Sequence, residues 1–433
     1  MTRRTVGPAR LALAAIPLVL AVVVPFSSAR PQAQTTAVAF EGGRWFTGTA
    51  FESRTAYVDS GILSFRRPAR IESSIDLAGG YVVPPFGEAH NHNVEGSGNI
   101  DRLISRYLKH GIFYVKNPNN LPRDREALAG KINLPTSIDV TFANGGWTGV
   151  DGHPMEIAKR NLDRRVWSDR DGEGGFYWSA ATSDDIARKW PVFLAQRPQF
   201  VKGYLLFSEE YAKRQNDAAS FGWKGLDPRV LPDLARRAHE AGLRLSVHIE
   251  TAADFHNALV AGADEVNHLA GFRGNMERPM TDPTRFEISD ADAQLAARNQ
   301  TVVVTTLSGA TQVALDGPQR EFRLQLESLY RRNLHTLRRH RVRLAIGSDA
   351  YDTDALAEAM FLNGLAVFEP AELLRTWTQG TVQAIFPDRH VGVLEEGAEA
   401  SFLVLRGNPL EDFNAVLQIA RRVKQGRNIP APF

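Results

Sequence analysis

Between residue 81 and about residue 349 the chain alternates short apolar runs with amphipathic stretches of helical period, a pattern that very few folds accommodate. The apolar runs are 81–84, 111–115, 138–142, 200–207, 243–247, 263–267, 301–306 and 343–347, eight in all. Between them lie helical patterns such as 231–241, 251–261 and the long 319–340 stretch. Eight successive strand–helix units predict an α/β fold, a (β/α)8 TIM-like barrel. Such barrels carry their active sites at the carboxyl ends of the strands.

The flanks read differently. Residues 37–40, 55–58 and 61–65 are short alternating runs separated by Gly and Asp-Ser turns, which is strand and not helix behaviour. After Pro370 a helix precedes 400–405 and 421–423, two further strand-like runs. These predict a small β-sandwich domain built by both chain ends, 30–83 and 386–433, around a barrel over 84–385. With 433 residues there is length for both.

The first 29 residues read as a signal peptide. Arg3, Arg4 and Arg10 form a positive start, residues 11–26 are apolar, and Ser27-Ser28-Ala29 supplies small residues for cleavage after Ala29. Sixteen residues broken by Pro17 and Pro25 fall short of the ~20 a membrane span needs. The expected location is therefore periplasmic or secreted, without a membrane anchor after cleavage. Arg3-Arg4 leaves the Sec and twin-arginine routes both open. A net charge of +2 with no basic run gives nucleic-acid binding no electrostatic support. The chain has no cysteine, which excludes disulfides, thiolate metal sites and a Cys nucleophile together. Homo-oligomerisation is left open.

Polar residues punctuate the ends of five of the eight runs. His90-Asn91-His92 follows the first; residues two apart in extended chain face the same way, so both imidazoles can reach one ion. Lys202 interrupts the apolar run Phe200-Val201-Lys202-Gly203-Tyr204, where a buried ammonium must be paired, snorkelling or chemically altered. The fifth run ends on His248, the sixth on His268 and the eighth on Asp349. Each alone has a structural explanation, but packing does not explain all of them at the functional face of a barrel.

With these residues in place, the sequence resembles the amidohydrolase superfamily, in its binuclear branch with a carboxylated bridging lysine, which includes prolidases and imidazolonepropionases. The opening signature resembles Gly79-Gly80-Tyr81-Val82-Val83-Pro84-Pro85-Phe86-Gly87-Glu88-Ala89-His90-Asn91-His92, and the closing one Gly392 to Gly397 through Gly407-Asn408-Pro409-Leu410. The resemblance implies that His90, His92 and Asp349 bind one divalent ion, that His248 and His268 bind a second, and that Lys202, carboxylated by carbon dioxide, bridges them. Glu88 and Ser401 stand where the family usually has Asp, and Glu250 stands where prolidase-like members carry tyrosine. Imidazole and carboxylate ligands suit zinc best, with manganese, iron and cobalt as alternatives. The implied chemistry is hydrolysis of a small-molecule substrate by a metal-bridging hydroxide, with Asp349 as proton shuttle.

For the substrate, the sequence points to an amide or peptide-like C–N bond in an N-acyl amino acid or dipeptide-like compound. His153, in the loop Gly145 to Pro154 after the third run, is a candidate carbonyl contact, and Tyr211, beyond the fourth, a candidate donor to a developing oxyanion. Trp167, Phe176, Tyr177 and Trp178 are candidates for lining an apolar pocket. His110, His239, His256, His335, His340 and His390 are expected at the surface. Lactonase or phosphoesterase activity is the main alternative. Deamination fits less well, because His248-Ile249-Glu250 lacks the spacing of a deaminase and Lys202 is present. A non-catalytic binding protein on the same fold would be expected to have lost ligands, and all six are here.

Overall fold

The computed structural model describes Met1 and residues 37–94, 98–272, 282–312 and 317–430; apart from Met1, the expected signal peptide lies outside the described residues. Eight strands in parallel pairings follow in order, the last seven at the predicted runs: β1 (Phe86–Glu88), β2 (Ile112–Asn117), β3 (Asp139–Phe142), β4 (Val201–Tyr204), β5 (Leu245–His248), β6 (Glu265–Asn267), β7 (Val302–Val304) and β8 (Arg343–Ala345). They form a three-stranded run, β1-β2-β3, and a longer run from β4 to β8 that also contains Gly146–Thr148 and Tyr177–Ser179. Backbone hydrogen bonds bridge the two runs at both seams. Gln199 N–H donates to Phe142 O (2.9 Å) and Ala89 N–H donates to Ile346 O (2.9 Å). Helices such as Leu231–Glu240, Ala252–Val260 and Arg320–Arg339 pack outside, each burying one apolar face. The architecture is a TIM-barrel-like α/β fold.

Two strand expectations are corrected. Residues 81–84 do not open the barrel. Tyr81–Val83 pairs antiparallel with Phe402–Leu405 in the outer sheet, and the barrel starts three residues later at Phe86. Pro84 and Pro85 separate the two roles, since neither has an N–H to continue a ladder. The segment expected as a loop after β3 contains the strand Gly146–Thr148, which pairs at Trp147 with Gly203 of β4. A Cβ on Gly146 would lie 2.4 Å from the Tyr204 ring and 3.1 Å from Lys202 Cγ. Only glycine lets this backbone approach the β4 side chains.

Strands from both flanks of the barrel meet in one sheet. Strand Ala37–Phe46 is bulged between Phe40 and Gly43; its first half pairs with Ile71–Asp76 and its second half with Tyr81–Val83. The C-terminal strands Phe402–Leu405, Ile419–Lys424 and Arg427–Ile429 extend the same eight-stranded sheet. Phe40 and Trp45 meet Phe402 edge-on at 5.0 and 5.2 Å. Among the described residues no helix is long and apolar enough to cross a membrane.

Candidate metal centre

All six predicted ligands line one cavity at the carboxyl ends of the parallel strands. Asn119, His153, Pro154, Ile157, Phe176, Tyr204 and Tyr351 complete the described lining. β1 delivers His90 and His92, β4 Lys202, β5 His248, β6 His268, and the turn after β8 Asp349.

Each side chain is aimed by local structure. Asp349 Oδ1 lies 3.4 Å from His90 Nε2 and 3.3 Å from His92 Nε2. One ligand atom from each of these three residues falls within 4.8 Å of the other two. Asp349 (φ 50°) and His268 (φ 81°) both occupy the left-handed backbone region. Such strain in non-glycine residues gathers at functional sites, where surrounding structure enforces it. Here Asp349 N–H donates to His90 O (2.7 Å) and His268 N–H to Val304 O (3.0 Å). Beneath them Glu88 accepts from Ser348 N–H (2.9 Å), Ser348 Oγ (2.8 Å) and His90 N–H (3.2 Å). Burial pushes its carboxyl up to about 8, against the pull of those donors. Glutamate in place of the family's aspartate thus still serves as a brace between the first and last strands.

The second group sits opposite. His248 Nδ1 and His268 Nε2 face each other at 2.9 Å, and Phe272 stacks on His268 at 3.8 Å. Lys202 is fully buried and hydrogen-bonds Asn267 Oδ1. Ser246 Oγ lies 2.9 Å from both Asn267 Oδ1 and Glu265 Oε1, and Lys116 Nζ lies 2.8 Å from Glu265. A polar column therefore occupies the barrel interior below Lys202.

The donors suit divalent cations. Burial, with Lys202 nearby, lowers the His90 pKa to about 3, and burial beside His248 carries His268 well below its ordinary value. Both imidazoles are thus neutral at physiological pH, with a lone pair to give, which is the ligating form. All three of His90, His248 and His268 are buried, His90 and His268 near the Asp349 carboxylate (3.4 and 4.0 Å) and His248 near that of Glu250 (3.2 Å).

His153 lines the cavity, its Nδ1 2.6 Å from Glu156 Oε1 and its ring 5.3 Å from His248. Tyr211 is not among the described lining residues; its phenol is half-buried and raised by burial beside Asp227. A tyrosine that does line the cavity is Tyr204, two residues beyond Lys202 and therefore on the same strand face. Sequence reasoning missed it although the parity was visible, and likewise Tyr351, which stacks over His92 at 5.7 Å. Of the four aromatic candidates, Phe176 lines the cavity, Trp167 packs on Phe176 at 4.7 Å, and Trp178 is buried against Trp147. The six outlying histidines stand apart from the cavity lining, and five face carboxylates, such as His110 with Asp354 at 2.9 Å and His256 with Asp292 at 2.6 Å.

The comparisons agree with this geometry. Residues 190–415, just over half of the chain, match the amidohydrolase family. An imidazolonepropionase of Desulfotalea psychrophila is 26% identical over 207 residues, which span 45% of this chain and 43% of that protein. Among solved structures, the A. niger ochratoxinase superposes with a TM-score of 0.71 at 16% identity, over 91% of this chain and 96% of that one. A Xaa-Pro dipeptidase with bound methionine gives a TM-score of 0.68 at 16% identity, over 91% and 99%. At such identities the two structures speak for the fold. The chain belongs to the amidohydrolase family, whose name denotes hydrolases of amide-type C–N bonds.

Proposed function

We propose that the protein is a metal-dependent hydrolase of an amide or peptide-like C–N bond in a small molecule, an N-acyl amino acid or dipeptide-like compound. The observation that carries the reading is the convergence of six ligand-type side chains from five strand ends on one cavity. In this reading the barrel is closed, with the branched outer sheet as the two leaves of a small sandwich. His90, His92 and Asp349 hold one ion and His248 and His268 a second, zinc being the best match. Lys202, carboxylated on Nζ, serves both. Divalent ions so held make water acidic enough to ionise near neutral pH and polarise a carbonyl oxygen.

The chain's own residues do the rest. Asp349 takes the proton of the attacking water and delivers it to the leaving nitrogen. His153, braced by Glu156, orients the substrate carbonyl, and the Tyr204 phenol faces the same space. Ile157, Pro154 and Phe176 give the substrate an apolar wall and keep bulk water from the reacting carbon. Lys202 is buried beside Asn267 Oδ1, and capture of carbon dioxide takes place on the neutral form of its amine. Export and cleavage after Ala29 belong to the same proposal and are tested by N-terminal sequencing of protein from its native host. The decisive experiment screens metal-loaded protein against N-acyl amino acids, dipeptides, lactones and phosphotriesters. Turnover of the amides is expected; turnover confined to esters, lactones or phosphotriesters overturns the proposal.

A further inference from the structure

The carboxylate of Glu250, at the end of β5, has no counterpart in the prolidase-like pattern of a tyrosine at this position, and the structure shows what it does touch. Glu250 is buried, and its Oε1 lies 3.2 Å from His248 Nε2. The other nitrogen of that ring, Nδ1, is 2.9 Å from His268 Nε2, and His268 Nδ1 is 2.7 Å from Thr306 Oγ1. Four side chains thus form one line: Glu250, His248, His268, Thr306. The first is pinned by its backbone, since Glu250 N–H donates to Asp254 Oδ2 (3.0 Å) and Glu250 O accepts from Gly271 N–H (2.9 Å).

A neutral imidazole has one N–H and one lone pair, a carboxylate only accepts, and a hydroxyl does either. We infer that Glu250 and Thr306 are positioning residues that set the tautomers of the second ion's two histidines, Glu250 permanently and Thr306 adaptably. This rests on the binuclear reading above. Glu250 requires the proton of His248 on Nε2, so the lone pair of Nδ1 always points at His268. Without an ion, His268 answers with its N–H on Nε2, and its Nδ1 accepts from the Thr306 hydroxyl. With an ion between the rings, both facing nitrogens must present lone pairs. His268 then carries its proton on Nδ1, and the Thr306 hydroxyl turns to accept it. One proton changes place within one ring, and none is gained or lost. A metal-bound histidine held through its other nitrogen by a carboxylate is oriented and made more basic. Here that device serves His248 alone, while His268 needs the two-way partner.

The test reads tautomers directly, in protein labelled with ¹⁵N-histidine and freed of metal. His248, assigned by its loss in H248N, is expected as the Nε2–H form and to remain so in E250Q, whose amide oxygen still accepts. In E250L the Nδ1–H form should appear, and the affinity for one of two zinc ions, followed by competition with a chromophoric chelator, should fall roughly 10- to 100-fold. T306V should weaken the same ion while leaving the His248 tautomer unchanged. An Nδ1–H His248 in the parent, or E250L and T306V that hold both ions with parental affinity, overturns the inference. If E250L does not fold, the parent's tautomer and the T306V affinity decide. A parent that takes up no zinc defeats the proposed function, while the tautomer measurement still judges the role of Glu250.

Discussion

Asp349 concentrates the site's demands in one residue. It sits in the left-handed region, is held by the His90 carbonyl, and has both first-strand histidines within 3.4 Å of its Oδ1. Asp349→Asn keeps an oxygen for the ion but loses the proton acceptor. Metal content measured by mass spectrometry should fall modestly while kcat drops roughly 10²-fold or more, the scale of general-base loss. On the proposed bridging role, Lys202→Ala should lose most activity and at least one ion, because the shared anion that offsets repulsion between two dications goes with the side chain. Small added carboxylates should restore part of the turnover, and an alanine variant with parental activity and two ions would exclude the bridging role. The candidate ligands were legible because each follows, interrupts or closes an apolar run, and a polar residue there needs a reason. Thr306 and Asn119 were not legible, since a hydroxyl or amide after a strand is ordinary until its neighbour is known. Tyr211 was chosen for nearness in sequence, whereas strand parity selects Tyr204.

Among elements, the helix Ala252–Val260 does most to hold the site together. Thr251 caps it, accepting from Asp254 N–H, and Asp254 returns the favour. The Asp254 carboxylate also accepts from the N–H groups of Phe207 (3.0 Å), Ser208 (2.7 Å) and Glu250 (3.0 Å). The capping pattern was readable in Thr251-Ala252-Ala253-Asp254; the links to Phe207 and Ser208 were not, being some forty-six residues away in sequence. Asp254→Ala strands several buried donors at about 1–3 kcal/mol each. It should therefore lower the urea midpoint sharply and loosen the ends of β4 and β5 together, seen as faster amide exchange at residues 207, 208 and 250. Loss of exchange protection confined to the helix would show that the carboxylate is only a cap. The barrel strands were found because period and apolar content agree. The first was displaced by the Pro84-Pro85 pair, where two adjacent strands of different sheets read as one.

At the scale of the molecule, the chain ends are tied to the barrel by buried charge. Lys424 Nζ donates to Asp139 Oδ1 (2.6 Å), Ser137 O (2.6 Å) and Leu134 O (2.8 Å), and Arg422 Nε donates to Leu108 O (2.6 Å). Lys424→Met leaves Asp139 its other cation, Arg389 at 2.8 Å, but takes the donor from the Ser137 and Leu134 carbonyls, and should cost about 1–3 kcal/mol. Metal stoichiometry of the folded fraction should be unchanged; an equal loss of metal would mean that the outer sheet shapes the cavity directly. That both ends build one sheet was foreseeable from their alternating runs, whereas Lys424 as its anchor was not, since lysine in an edge-like strand reads as solvent-facing. The seam between the first and last strands has a further consequence. Gly347 lies so close to His90 that a Cβ would fall 2.8 Å from the His90 nitrogen, and Asn91 Nδ2 meets Ser348 Oγ (2.7 Å) across 257 residues of sequence. The histidine pair and its aspartate therefore cannot be assembled by any local fragment of the polypeptide. Contacts of such sequence separation form slowly, so on the proposed function a nascent or truncated chain should lack a high-affinity grip on the first ion, and metal uptake followed during refolding should trail formation of the parallel strands.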